Sequence, residues 1–316
     1  MKKKAIIISL FVLLLVVMLV PTSCASISAR DKVAVISLSG TITAGGSSFL
    51  VGQVITADLV REQLDRAEKD TAVKAIVLRV ESPGGLVAPC QEILEELEKV
   101  QQTKPIVVSM GSMAASGGYY ISCEANKIVA LPGTLTGSIG VISQIPNVKG
   151  LYEKLGIEMQ TFKGGKYKDM YSGFRELTPE EKEIMQQMTD EYYEQFIEVV
   201  AEGRGLSKEQ VRSLATGQLY TGTEAKGLGL VDELGGLDTA VDLAAELAGV
   251  TAPEVEYYKP AEKSLLELLL GVNLNSLIQA IQMKLLGLSG QDIILLETLS
   301  HTYPQPQYLA SPISLP

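Results

Sequence analysis

From Lys32 onward, short β-branched runs alternate with amphipathic stretches at helical spacing, a pattern that dictates a parallel sheet clad in helices on both faces. Lys32–Leu38 (KVAVISL) and Ala75–Val80 (AIVLRV) are near-continuous apolar runs, suited to strands buried on both sides. Between them, Ala57–Lys69 carries Leu59, Val60, Leu64 and Ala67 at helical spacing. The stretch Leu86–Gln102 places Ile93, Leu94, Leu97 and Val100 on one face, with Pro89 in the first turn, where proline is tolerated. Pro105–Met110, Lys127–Leu131 and Ile157–Phe162 read as further strands, with a helix at Tyr152–Leu155. Thr178-Pro179-Glu180-Glu181 is a helix start, combining a cap, a proline at the first position and acids in the first turn. That helix is expected to reach about Glu202 and to stop near Gly203 or Gly205.

Composition narrows the function. Of 316 residues, 46% are apolar and 20% charged, enough for a sizeable core and too apolar for wholesale disorder. The net charge of −10 argues against a nucleic-acid partner, which requires a positive footprint. Three cysteines (Cys24, Cys90, Cys123) are too few for a disulfide framework or a cysteine zinc cage; Cys90 and Cys123 are expected to be buried free thiols. The single histidine, His301, close to the C-terminus, argues against a Ser-His-Asp triad and a multi-histidine metal site. No metal and no cofactor is implied. Any hydrolytic chemistry needs another base.

The two ends differ in character from the body. Lys2-Lys3-Lys4 precede an apolar run from Ala5 to Val20, and no charge follows until Arg30. The uncharged stretch is long enough to cross a bilayer, and the basic start keeps that end cytoplasmic, so the body is expected outside. A retained single-pass transmembrane or signal anchor is the first reading. A lipoprotein at Cys24, with Pro21 where a lipobox usually has Leu, and a cleaved signal peptide are the alternatives. After Pro260, leucines from Leu265 to Leu286 crowd a stretch that suits helices packed on a second subunit, on membrane or on the core itself. Residues 1–29 are thus read as a membrane segment, 30–259 as an extracytoplasmic catalytic domain, and 260–316 as a Leu-rich extension with an extended tail.

Three glycine-bearing segments fall at strand ends, where open parallel sheets keep their sites. Ser82-Pro83-Gly84-Gly85 follows one strand and precedes a helix; freely turning glycine amides suit an oxyanion hole, although an ordinary strand-to-helix turn would look the same. Gly111–Tyr120 (GSMAASGGYY) surrounds Ser116 with small residues, which points to a nucleophile more than to a helix cap; Ser112 is the rival. Thr136-Gly137-Ser138-Ile139-Gly140 is the third, followed by Lys163, Lys166 and Lys168. A neutral lysine serves as base, but a reference pKa near 10.4 leaves about one amine in a thousand neutral at pH 7.4, so burial away from carboxylates is required. Composition does not choose among the three lysines.

With these motifs assembled, the chain resembles the short bacterial form of signal peptide peptidase A, a Ser-Lys membrane protease of the ClpP/crotonase-like α/β fold, built of repeated ββα units. The resemblance covers about residues 32–258 and rests on Ser82–Gly85, Met113–Tyr120, Thr136–Ile142 and the pattern Gly217–Gly235 (GQLYTGTEAKGLGLVDELG), in that order. It implies Ser116 as nucleophile and Lys168 as general base. It also implies an oxyanion hole at Gly84, Gly85 and Gly117, with Ser138 as a hydroxyl orienting the lysine. The implied substrates are hydrophobic peptides such as signal-peptide remnants in the membrane. The implied assembly is a ring homo-oligomer in which Ser and Lys come from adjacent subunits. Crotonase-like acyl transfer, on the same fold with carboxylates as acid and base, and a non-catalytic membrane scaffold are the competing readings. The proline-punctuated tail Pro304–Ala310 reads either as a solvated extended tail or as a strand that enters an active-site groove with Ala310 before the scissile bond.

Overall fold

The computed structural model describes residues 30–45, 53–258 and 307–309. In chain order, β1 (Lys32–Ser39), β2 (Thr41–Ile42) and β3 (Val54–Ile55) lead into helix α1 (Ala57–Lys69). Next come β4 (Val73–Ser82), β5 (Gly84–Leu86), α2 (Val87–Gln101), β6 (Ile106–Ala115) and the single turn α3 (Gly117–Tyr120). Then β7 (Lys127–Ala130), β8 (Leu135–Gly137), α4 (Lys149–Lys154), α5 (Pro179–Arg204) and α6 (Lys208–Leu214) follow. The described chain closes with β9 (Leu219–Thr221), α7 (Gly222–Gly227), β10 (Glu233–Leu234), α8 (Leu237–Leu247), β11 (Glu254–Tyr258) and β12 (Gln307–Leu309).

The sheet runs β10-β7-β6-β4-β1-β11 with every pair on that path parallel. Both faces are covered, which is why its strands read as continuous apolar runs. Ile36, Leu78, Val108 and Ile128 point to one face and pack with Leu64 of α1, Ile93 of α2 and Phe196 of α5. Val35, Val77, Val107 and Val129 point to the other and meet Ala240, Val241 and Ala244 of α8. Each such side chain, fully buried, contributes about 1.5–3 kcal/mol. The start of α5 is as the sequence signals: Thr178 Oγ1 accepts from the Glu181 amide (3.2 Å) while the Glu181 carboxylate accepts from the Thr178 amide (2.9 Å). The helix ends on Gly205, left-handed at φ 62°.

Two readings need correction. Ile157–Phe162 is not a strand: among the described residues nothing pairs with it, and Ile157, Met159 and Phe162 are exposed, Phe162 at 93%. Apolar and aromatic content makes a strand only where a ladder receives it, and here tertiary context offers none. β6 is also longer than Pro105–Met110 and carries a bulge: Val80 pairs with Met110, but Ser82 already pairs with Ala114.

A second, small sheet lies beside the end of β6, in the order β12-β5-β2-β3. In it β5 is parallel to β2 (Ile42 opposite Gly85) and antiparallel to β12, with Gln307, Tyr308 and Leu309 opposite Leu86, Gly85 and Gly84. Cys90 and Cys123 are buried free thiols, as expected. No described helix is long and apolar enough to cross a membrane. The apolar N-terminal run, Cys24, the Leu-rich stretch and Ala310 lie outside the described residues.

Candidate active site

Parallel strands bring the three glycine-bearing segments to one edge. Ala115 of β6 pairs with Gly137 of β8, so the residues that follow them, Ser116 and Ser138, leave the sheet side by side. The Ser116 amide donates to the Gly137 carbonyl at 2.8 Å. Both serines have positive φ, 54° at Ser116 and 49° at Ser138, a conformation that costs a non-glycine residue about 1–3 kcal/mol and persists only where its surroundings enforce it. Ser116 caps the short α3 through its backbone, its carbonyl accepting from the Tyr120 amide at 2.8 Å. Its hydroxyl does no capping. The residue is 0% exposed, and Oγ has no hydrogen-bond partner among the described residues. A buried hydroxyl left unpartnered on a strained elbow costs stability and returns none.

The glycines of the two neighbouring motifs interlock. A Cβ on Gly117 would stand 3.0 Å from the Gly85 nitrogen, 3.2 Å from the Gly84 Cα and 2.7 Å from Cys90 Sγ. A Cβ on Gly85 would fall 1.9 Å from the Ile42 carbonyl oxygen of β2. Glycine at both positions lets the backbone of β5 approach the turn after Ser116 closely. The Gly84 amide donates to Ser82 Oγ at 3.1 Å. Cys90, next to Gly117, is an inert filler, since burial pushes its thiol pKa up.

Ser138 is nearly buried, and its Oγ donates to the Gly217 carbonyl at 3.2 Å. Ser112, the rival nucleophile, is exposed within the β6 bulge, away from the strand end. Its amide and that of Met113 donate to the Glu81 carboxylate, at 2.6 and 3.0 Å. The sequence reading missed Glu81; a glutamate directly before Ser-Pro-Gly-Gly, level with Gly111, was the available signal.

The three lysines separate by their partners. Lys163 Nζ donates to Asp169 at 2.6 Å, and Lys166 is paired with Glu180. Lys168 is exposed and has no side-chain partner among the described residues, and no hydrogen bond joins it to Ser116. The structure therefore brings together Ser116, Ser138, Gly84, Gly85 and Gly117, but not Lys168. The segment carrying Lys168 is fastened at its base by Arg175, which forks between Asp169 (2.7 and 2.8 Å) and Glu181 (2.6 and 2.7 Å). The Arg175 guanidinium, then the Lys163 ammonium, hold the Asp169 carboxyl well below the usual carboxylate range. Arg175, then the Thr178 amide, hold Glu181 at about 2. Carboxylates depressed in the folded state contribute stability above their unfolded pKa of about 4, and lose it as pH falls through the folded value. Hydrogen-exchange protection of residues 163–177 is accordingly expected to fall between about pH 4.5 and pH 2, ahead of the sheet. Arg175→Ala is expected to abolish that protection already at neutral pH. Retained protection in that variant would refute the clamp.

This arrangement has relatives. The profile of peptidase family S49 matches residues 98–251, and that of Clp protease matches residues 39–136. A putative protease of Synechocystis is 41% identical over 229 residues, 72% of this chain and 79% of its own length. The chain belongs to peptidase family S49. A putative signal peptide peptidase SppA of Enterococcus faecium is 37% identical over 234 residues, covering 73% of this chain and 68% of that protein. Protease 4 of Salmonella typhi is 43% identical over 229 residues, but these span only 36% of its length. The S49 match includes Ser116, Ser138 and all three lysines, and the Clp protease match includes the Gly84–Gly85 step.

Proposed function

We propose that this S49 chain is a membrane-associated serine endopeptidase that uses Ser116 as nucleophile and Lys168 as general base to degrade hydrophobic peptides such as signal-peptide remnants. The observation that carries the reading is the buried, unpartnered Ser116 hydroxyl on a positive-φ elbow beside Gly84, Gly85 and Gly117. In the first half-reaction the neutral Lys168 amine takes the Ser116 proton as Oγ bonds to the scissile carbonyl carbon. Backbone amides at the glycines hold the oxyanion. Collapse breaks the C–N bond, the leaving amine takes the proton back from the lysine, and an acyl-enzyme remains. Water, deprotonated by the same lysine, releases the acid. Ser138 would orient the amine from its place beside Ser116. In this reading Lys168 comes from an adjacent subunit of a ring homo-oligomer, and residues 1–29 tether the domain to the extracytoplasmic face of the membrane, with a lipid on Cys24 as the alternative. A serine-directed acylating probe should modify Ser116 and no other serine; labelling at Ser112 or no labelling would overturn the assignment.

The tail supports the same mode of substrate binding. An extended segment pairing antiparallel with β5 is how a protease commonly seats a peptide, through main-chain hydrogen bonds along a strand edge. β12 occupies that edge, with Tyr308 and Leu309 level with Gly85 and Gly84. This register puts the residues facing the glycine pair just before Ala310. Intact-mass measurement is expected to show a wild-type product ending at Tyr308 or Leu309, the residues facing the glycine pair, absent from Ser116→Ala. Deleting the residues after Thr302 should raise turnover of short peptides about threefold or more, because a tethered strand competes at roughly millimolar effective concentration. Trimming in both proteins, or unchanged turnover, would remove self-engagement.

A further inference from the structure

On the far side of the glycine pair from Leu86 lies a cleft of about 610 Å³, lined by Glu81, Ser82, Pro83, Ser112, Met113 and Leu135 among others. Its walls are apolar at Pro83, Met113 and Leu135, and among the described residues Glu81 is the only charged one lining it. The carboxylate is fixed there. Val80 pairs with Met110 and Ser82 with Ala114, so residues 111–113 bulge opposite Glu81, whose two oxygens each accept one bulge amide. Gly111 makes the approach possible, because a Cβ there would fall 1.9 Å from Glu81 Oε2. Two amides leave about half of a carboxylate's acceptor sites unused, and no cation pairs with Glu81 among the described residues. The cleft thus holds one pinned carboxylate between apolar walls; Arg79, two residues back on the same strand, spends its guanidinium on Ser109 Oγ and the Met110 carbonyl.

The register of β12 says which part of a peptide meets it. A strand seated as β12 is passes Leu86, Gly85 and Gly84 in that order, so its next residues come level with Pro83 and then Ser82. Gly117 packs on Gly84 and Gly85, so the attacked carbonyl stands opposite one of these two glycines. Whichever it is, the residues level with Pro83 and Ser82 follow the scissile bond. We infer that this cleft is a specificity pocket for the residues after the cut that come level with Pro83 and Ser82, the first and second if the cut faces Gly84 and the second and third if it faces Gly85, taking a side chain with an apolar stem and a cationic head, lysine or arginine, and rejecting aspartate and glutamate. Apolar walls suit the methylene stem of such a side chain while its head meets Glu81. The inference rests on the protease reading above.

The test uses the full-length protein in detergent and hydrophobic peptides that differ only in Lys, Gln or Glu at the first, second or third position after the cut, with the cut mapped by mass spectrometry. A partly exposed charge pair, gained with Lys and replaced by repulsion with Glu, is expected to give a kcat/KM ratio of about fivefold or more at one of the three positions. That ratio should shrink towards one in molar salt and in Glu81→Gln. A wild-type ratio near one or below at all three positions overturns the inference, as does a ratio that survives in folded Glu81→Gln. If that variant does not fold, the wild-type salt series decides, since a salt-insensitive ratio excludes the charge. Hydrolysis of all peptides alike removes the pocket and leaves the protease standing; hydrolysis of none removes both.

Discussion

Ser116→Ala is expected to lower peptide hydrolysis at least about a thousandfold, and Lys168→Ala to do the same, because partners that act as one unit lose nearly everything when either is removed. The double variant should be no worse than either single one. What marks this as chemistry rather than damage is the expected stability. The Ser116 hydroxyl is buried without a partner, so deleting it removes a desolvation cost, and Ser116→Ala should be about 1 kcal/mol more stable than wild type. Ser116→Gly should gain more, because glycine also accepts φ 54° without strain. Thermal melts and kcat/KM measured on the same preparations check both halves. Lys163→Ala and Lys166→Ala should keep most of the activity, since those ammonium groups are already paired with Asp169 and Glu180. If Lys163→Ala were inactive while Lys168→Ala turned over normally, the base would be Lys163.

Much of this site was legible in the sequence because its parts are local. Strand, glycine turn and helix follow one another within a few residues at Ser82–Val87 and again at Ala115–Tyr120, and parallel pairing carries such turns to a common edge. The short strands β5, β8 and β9 were not legible, since three residues, one of them glycine in β8 and two in β5, show no periodicity and exist only because a neighbour pairs with them. Ile157–Phe162 failed in the opposite sense, with strand-like composition and no neighbour. Glu81 and Arg175 were invisible for a third reason. Their roles come from contacts across the fold, a bulge thirty residues on for Glu81 and a clamp on both Asp169 and Glu181 for Arg175.

Mixing the two inactive variants should restore activity, and by a calculable amount. Among the described residues of one chain Ser116 Oγ has no partner and Lys168 reaches none, while the segment leading to that lysine exposes Leu151, Leu155, Ile157, Met159 and Phe162. An apolar belt of this kind suits a surface that a membrane or another protein covers, and the proposed ring would cover it with a second copy. If a neighbouring copy covers it, Lys168 of one subunit is presented to Ser116 of the next, a head-to-tail contact that closes into a ring. A site in such a ring works when its serine comes from a Lys168→Ala chain and its lysine from a Ser116→Ala chain. Random assembly of equal amounts fills about one site in four that way, so co-expressed variants should show about a quarter of wild-type turnover, against less than about a thousandth for either alone. A dyad formed within one chain gives a different outcome, because every mixed site then lacks one partner and the mixture stays as inactive as its components. Varying the mixing ratio sharpens the test. Activity shared across an interface must peak at equal amounts and fall symmetrically on either side, whereas contamination by wild-type protein would follow only the preparation that carries it.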